Sequence, residues 1–235
     1  MERLLQRNVG FFFLVVLGFT VLGFFPSYFS RFPAFTGYDW AFHVHAAIGL
    51  TWIGMLIAQA FLIRAKRFRT HRALGKASYV VMPLLLASFF LMARAQYHKN
   101  LLVHHLSETD ALAVLSRTGL PDVVYIGILY ALGIAYRRRP DWHMRFFTGI
   151  GLIMLGPGLG RFALANLPPQ IAGAVLGLTF LVLPLVWLVF DLRQKKSPIP
   201  LLTYLGMALC AATMQGQGQS AWWQAVAGFV AAKAF

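Results

Sequence analysis

Long apolar runs bounded by short clusters of Lys and Arg constrain this chain more than any other feature. A membrane-spanning helix needs about 20 mostly apolar residues. Runs of that kind cover residues 8–29, 40–63, 74–97, 121–136, 142–165, 169–192 and 199–214. The fourth and seventh are short and need interfacial residues to complete a crossing. The pattern predicts an all-α polytopic transmembrane bundle of about seven spanning helices, forming one integral membrane domain over residues 1–235. Beyond Gly216–Gln219 the last apolar segment, 221–235, is too short to span. Trp222 and Trp223 suit the headgroup level, which predicts a short interfacial or docked C-terminal helix.

Composition excludes the soluble alternative. Hydrophobic residues are 59% of the chain and charged residues 12%, roughly half the charged share of a soluble domain. The formal charge of +14 does not indicate a nucleic-acid partner, because the cations lie between apolar runs and not as a stripe on a polar surface. Cys210, the lone cysteine, has no intrachain partner. Arg3 and Arg7 ahead of the first run resemble a signal peptide, but no small-x-small cleavage site follows, and the run reads as an uncleaved helix.

Orientation follows from the cations. Arg3 and Arg7, six between Arg64 and Lys76, Arg137, Arg138, Arg139 and Arg145, and Arg193, Lys195 and Lys196 make fifteen of the 21 Lys and Arg residues. Seven crossings put all of them on one face, and the positive-inside rule makes that face cytoplasmic, N-terminus included, in a bacterial inner membrane. In one outer loop Ser107 and Asp110 have capping-box spacing, followed by a short helix from Ala111 to Arg117 that Gly119 and Pro121 end.

The seven histidines are the most informative chemical groups. His43 and His45 open the second span at its outer end, while His98, His104 and His105 follow the third at the same face. Neutral imidazole binds iron, copper and zinc, so this group is a candidate metal site. On a regular helix His43 and His45 point about 200° apart. If the third helix continues unbroken, Arg94, His98 and His105 share a face. The competing reading is a set of interfacial histidines that bind nothing. On the inner side His71 opens the third span and His143 the fifth, where Thr70 and Asp141 are candidate N-caps. These two either pair across the bundle as cofactor ligands or simply mark helix starts.

Polar groups inside apolar spans carry weight because burying them there is costly. Arg161 follows the glycine-rich run Gly156-Pro-Gly-Leu-Gly160, which permits close approach by a ligand or a helix. Its partner is either Asp122, in a structural pair, or an anionic group such as a haem propionate, a quinone oxygen or a lipid phosphate, which Arg94 could equally bind. Gln59 reads as interhelical glue or part of a site. There is no Walker loop, dinucleotide-binding glycine fingerprint, His-Glu-x-x-His or Gly-x-Ser-x-Gly motif.

His43-Val-His45, His71-Arg-Ala-Leu-Gly75 and His143-Met-Arg-Phe146, with Arg161 beyond them, resemble a family of bacterial multi-pass membrane proteins with no assigned activity. The likeness covers residues 40–162. More loosely, the arrangement is similar to di-haem transmembrane cytochromes of the ascorbate-reducing type, which hold haem between histidines of neighbouring helices. The fourth span has no histidine here, so the two-pair ligand set of those cytochromes is incomplete. Two functions follow as expectations. One is a redox or electron-transfer protein binding haem b or a transition metal (Fe, Cu or Zn), with a lipophilic substrate such as a quinone and other membrane subunits as partners. The other is a non-redox transporter, carrier or assembly subunit with a polar Arg/Asp/His pathway.

Overall fold

The computed structural model describes residues 2–117 and 119–233, and every regular element among them is helical. In chain order these are α1 (Glu2–Phe24), α2 (Trp40–Arg64), α3 (Phe68–Leu102), α4 (Glu108–Val114), α5 (Asp122–Ala135), α6 (Pro140–Asn166), α7 (Pro169–Gly177), α8 (Leu183–Arg193), α9 (Ile199–Met214) and α10 (Ala221–Gly228). A π-helical turn, Leu178–Val182, joins α7 to α8 without interrupting the rod. Among the described residues, five helical stretches are long and apolar enough to cross a membrane: Trp40–Arg64, Phe68–Leu102, Glu108–Ala135, Pro140–Asn166 and Pro169–Arg193. Two shorter apolar helices, Asn8–Phe24 and Ile199–Met214, accompany them. The protein is a helical membrane protein.

Its contacts divide it into two compact units, with the cuts falling inside α2, α3, α5 and α9. The first holds residues 1–36, 53–77 and 128–208. Here α1 lies on α6 at a glycine contact, where a Cβ on Gly23 would strike the Gly158 carbonyl and one on Gly158 would meet the backbone of Phe19. With no hydrophobic drive between helices in lipid, small residues let backbones approach and dispersion hold them. The glycine-rich run thus serves helix packing at Gly158. Phe13 and Val16 of α1 are buried, as are Ile150 and Leu155 of α6.

The second unit holds residues 37–52, 78–127 and 209–235. The cap expected at Ser107 is present: its Oγ accepts from the Asp110 backbone N–H at 3.1 Å and donates to the Asp110 carboxylate at 2.6 Å. Gly119 then turns at φ 45°, packed so closely on Met92 and Phe89 that a side chain would not fit. α10 is docked, with Trp223 buried against Ala111, Leu112 and Leu115 and its Nε1 donating to the Leu112 carbonyl at 2.9 Å, while Trp222 stays exposed.

Three local expectations need correction. α3 does not run on to His105. It ends at Leu102, His105 takes a left-handed φ of 51°, and the Leu106 N–H turns back to the Asn100 carbonyl at 3.0 Å. The left-handed residue beyond this helix is not a glycine, so no Gly or Pro marks its end. Thr70 does not cap α3, which begins two residues earlier at Phe68 after the left-handed Lys66. Nor does Asp141 cap α6, because Pro140, whose fixed φ suits the first helical position, starts the helix ahead of it.

Candidate functional site: a histidine pair at the helix ends of the first unit

In the first unit three helix ends meet around His71 and His143. Only Ala65, Lys66 and Arg67 separate α2 from α3, so the end of α2 lies beside the start of α3. Gly75 leaves room there for the Gln59 amide, whose nitrogen would sit 3.4 Å from a Cβ at that position. His143, on the first turn of α6, faces His71 with ring centres 6.4 Å apart and planes at 81°.

Hydrogen bonds fix which nitrogens are free. His143 Nδ1 lies 2.8 Å from the Gly133 carbonyl. A carbonyl only accepts, so Nδ1 carries the proton and Nε2 keeps its lone pair. The His71 Nδ1 is buried with no hydrogen-bond partner. Gln59 Oε1 is likewise buried without a partner. Polar atoms left unmet in a low-dielectric interior cost free energy, and the two facing imidazoles suit a cation or a donor between them.

The spacing matches an ion. A metal–imidazole bond is about 2.0–2.1 Å, and adding the half-width of each ring puts the centres of a bridged pair roughly 6–6.5 Å apart. Haem iron would need the same spacing plus clear volume for the macrocycle. Phe147 packs 4.7 Å from the His143 ring and a Cβ on Gly133 would strike it, while Gln59 closes against Gly75.

Two residues on from His143, Arg145 is 3% exposed and makes a bidentate pair with Asp191 of α8: Nε–Oδ2 2.6 Å and Nη2–Oδ1 2.7 Å. Its Nη1 donates to the Asp141 carbonyl at 2.9 Å, and its guanidinium lies 5.5 Å over the Trp187 ring. This pair fastens the α6 start that carries His143. Sequence reasoning missed it, because Arg145 counts there as one more interfacial cation. Asp191 was the available signal: it is the lone acid in the otherwise uncharged run 169–192.

The outer candidates all fall in the second unit. His98, His104 and His105 are exposed, and His98 stacks on its neighbour Tyr97. His43 packs edge-on to Tyr38, whose ring also carries the Lys99 ammonium at 4.4 Å. His45 bonds Ser88 through Nδ1 at 2.9 Å and meets the Phe89 ring at 4.6 Å. Among the described residues no group of three His, Cys, Asp or Glu side chains is gathered as metal ligands.

The remaining polar candidates are placed as follows. Arg161, exposed in the first unit, lies 4.2 Å over Phe24 and donates Nη1 to the Pro157 carbonyl at 3.2 Å. Arg94, in the second unit, is half-buried with Nη1 enclosed and unpartnered. Asp122 lines a cavity of ≈ 60 Å³ with Ser116, Arg117, Tyr125 and Gln215.

No protein-family model, curated protein or solved structure matches this chain.

Proposed function

We propose that this is a bacterial inner-membrane protein that crosses the bilayer seven times with its N-terminus in the cytoplasm, and that it holds a transition-metal ion between His71 and His143 for electron transfer. The observation that carries the reading is the pair itself: rings 6.4 Å apart, with His143 held by Gly133 and the inward nitrogen of His71 buried and unmet. An imidazole whose far nitrogen is fixed by a carbonyl is oriented as metal-ligating histidines are. Copper or iron would supply one-electron redox chemistry there, which zinc does not. The protein's part is to hold the two nitrogens, limit water and fix α6 through Arg145 and Asp191. The expected quinone-type substrate and partner subunits belong to this reading.

Metal analysis and a visible spectrum of the purified protein test it. About one copper or iron per chain is expected, lost in His71→Ala and in His143→Ala while both variants still fold. A metal-free wild type that takes up neither copper nor iron sinks the reading. The second reading, a transporter or assembly subunit with a polar pathway, is favoured by one observation, the Asp122 carboxylate and Arg117 lining one cavity. Transport activity lost in Asp122→Asn, in protein without metal, would select it.

A further inference from the structure

The second unit contains a histidine whose protonation is dictated by its neighbours. Ser88, 1% exposed, has one hydroxyl proton, and that proton goes to the Leu85 carbonyl at 2.6 Å. The 2.9 Å contact between Ser88 Oγ and His45 Nδ1 therefore needs its proton from the ring. So Nδ1 is the donor, and Nε2 carries a lone pair directed away from Ser88. Phe89, edge-on at 4.6 Å, sets the plane of the ring. His45 is half-buried, which leaves the ring an open edge, and Nε2 has no hydrogen-bond partner among the described residues.

This acceptor sits on α2, five residues into a helix long and apolar enough to cross a membrane. Donors that reach the open edge of this ring from the bilayer are those that dissolve in lipid. A lipid-soluble phenolic hydroxyl matches on both counts: it donates and it partitions into the bilayer.

We propose that His45 is the docking point of a lipid-soluble hydroquinone, whose hydroxyl donates to Nε2 while Ser88 holds the ring in the accepting form. This goes beyond the metal reading and requires no metal at His71 and His143. It has a consequence that general affinity for lipophiles lacks. A hydroquinone can donate to Nε2, whereas the matching quinone carries only acceptors and would oppose two lone pairs. The site therefore discriminates between redox states of one carbon skeleton.

The test is equilibrium binding of a decyl-substituted benzohydroquinone and the matching benzoquinone to the purified protein, each kept in its own redox state. The hydroquinone should bind roughly ten-fold or more tightly, as expected where one form leaves a polar group unmet. His45→Phe, which keeps a ring of similar size, should abolish the preference. Ser88→Ala should narrow it, because either ring nitrogen can then carry the proton. Equal binding of the two forms overturns the proposal, as does a preference that survives His45→Phe. If His45→Phe does not fold, an undiminished preference in folded Ser88→Ala overturns it instead.

Discussion

The histidines at the start of α3 and those beyond its end are the same residue type in opposite circumstances. His71 sits where two other helix ends close over it, and its nearest polar atoms are a backbone carbonyl, an enclosed amide and a second imidazole. His98, His104 and His105 stand at or past the last turn of a helix and are exposed. The difference is one of constraint. An imidazole on the first turn of a packed helix inherits the rigidity of that helix, and a hydrogen bond such as that from His143 to Gly133 then selects its free nitrogen. An imidazole past a helix end hydrates, and nothing fixes either nitrogen. Histidine density, which singles out the second group in the sequence, is thus a weaker guide than the geometry of the first.

The largest test of this contrast is metal content. His98→Gln, His104→Gln and His105→Gln combined should leave the metal stoichiometry unchanged, whereas His71→Ala or His143→Ala alone should remove it. Element analysis on matched preparations checks both arms. Metal lost in the triple variant and kept in the single ones would reverse the comparison.

The second test concerns what keeps the inner group rigid. Arg145 and Asp191 are both almost fully enclosed, with side chains 1% and 0% exposed. Removing one member of such a pair leaves an uncompensated buried charge, at a cost of about 3–5 kcal/mol. Arg145→Ala and Asp191→Ala should each lower the thermal unfolding midpoint in detergent strongly. Replacing both by Leu should recover much of that loss, since the penalty comes from the orphaned charge more than from the missing attraction. A double variant as unstable as the singles would show that the pair contributes through its geometry, including the Asp141 carbonyl and Trp187, and not through charge balance.

Much of the architecture is legible in the sequence because the bilayer restricts the options. Run length alone gave 40–63 for α2 (Trp40–Arg64) and 142–165 within α6 (Pro140–Asn166), and Ile199–Met214 recurs as α9. The Ser107 cap was legible because its signal is local, two residues three apart. The end of α3 was not, since a left-handed His105 carries no sequence mark. The inner pair was half legible: motif position raised His71 and His143, but their rings meet only when α3 and α6, distant in sequence, pack. Arg145 and Asp191 lie 46 residues apart and meet through the fold.

The smallest effect concerns what orders the loop carrying His104 and His105, if not a metal. That loop leads directly into the Ser107 cap, and α4 behind it is covered by Trp223. Apolar burial of an indole and one hydrogen bond, from Nε1 to the Leu112 carbonyl at 2.9 Å, hold the C-terminal segment there. Trp223→Phe keeps most of the apolar contact and deletes the hydrogen bond, so it should destabilise by about 1 kcal/mol. The loss should be confined to this unit: amide exchange should quicken in α4 and α10 and stay unchanged around His71 and His143. Adding copper, iron or zinc should not slow it again, because no metal spans that loop on this account. Protection of α4 restored by a metal ion would mean that the exposed histidines do gather a ligand set once an ion is offered, and the contrast between the two groups would shrink to one of affinity.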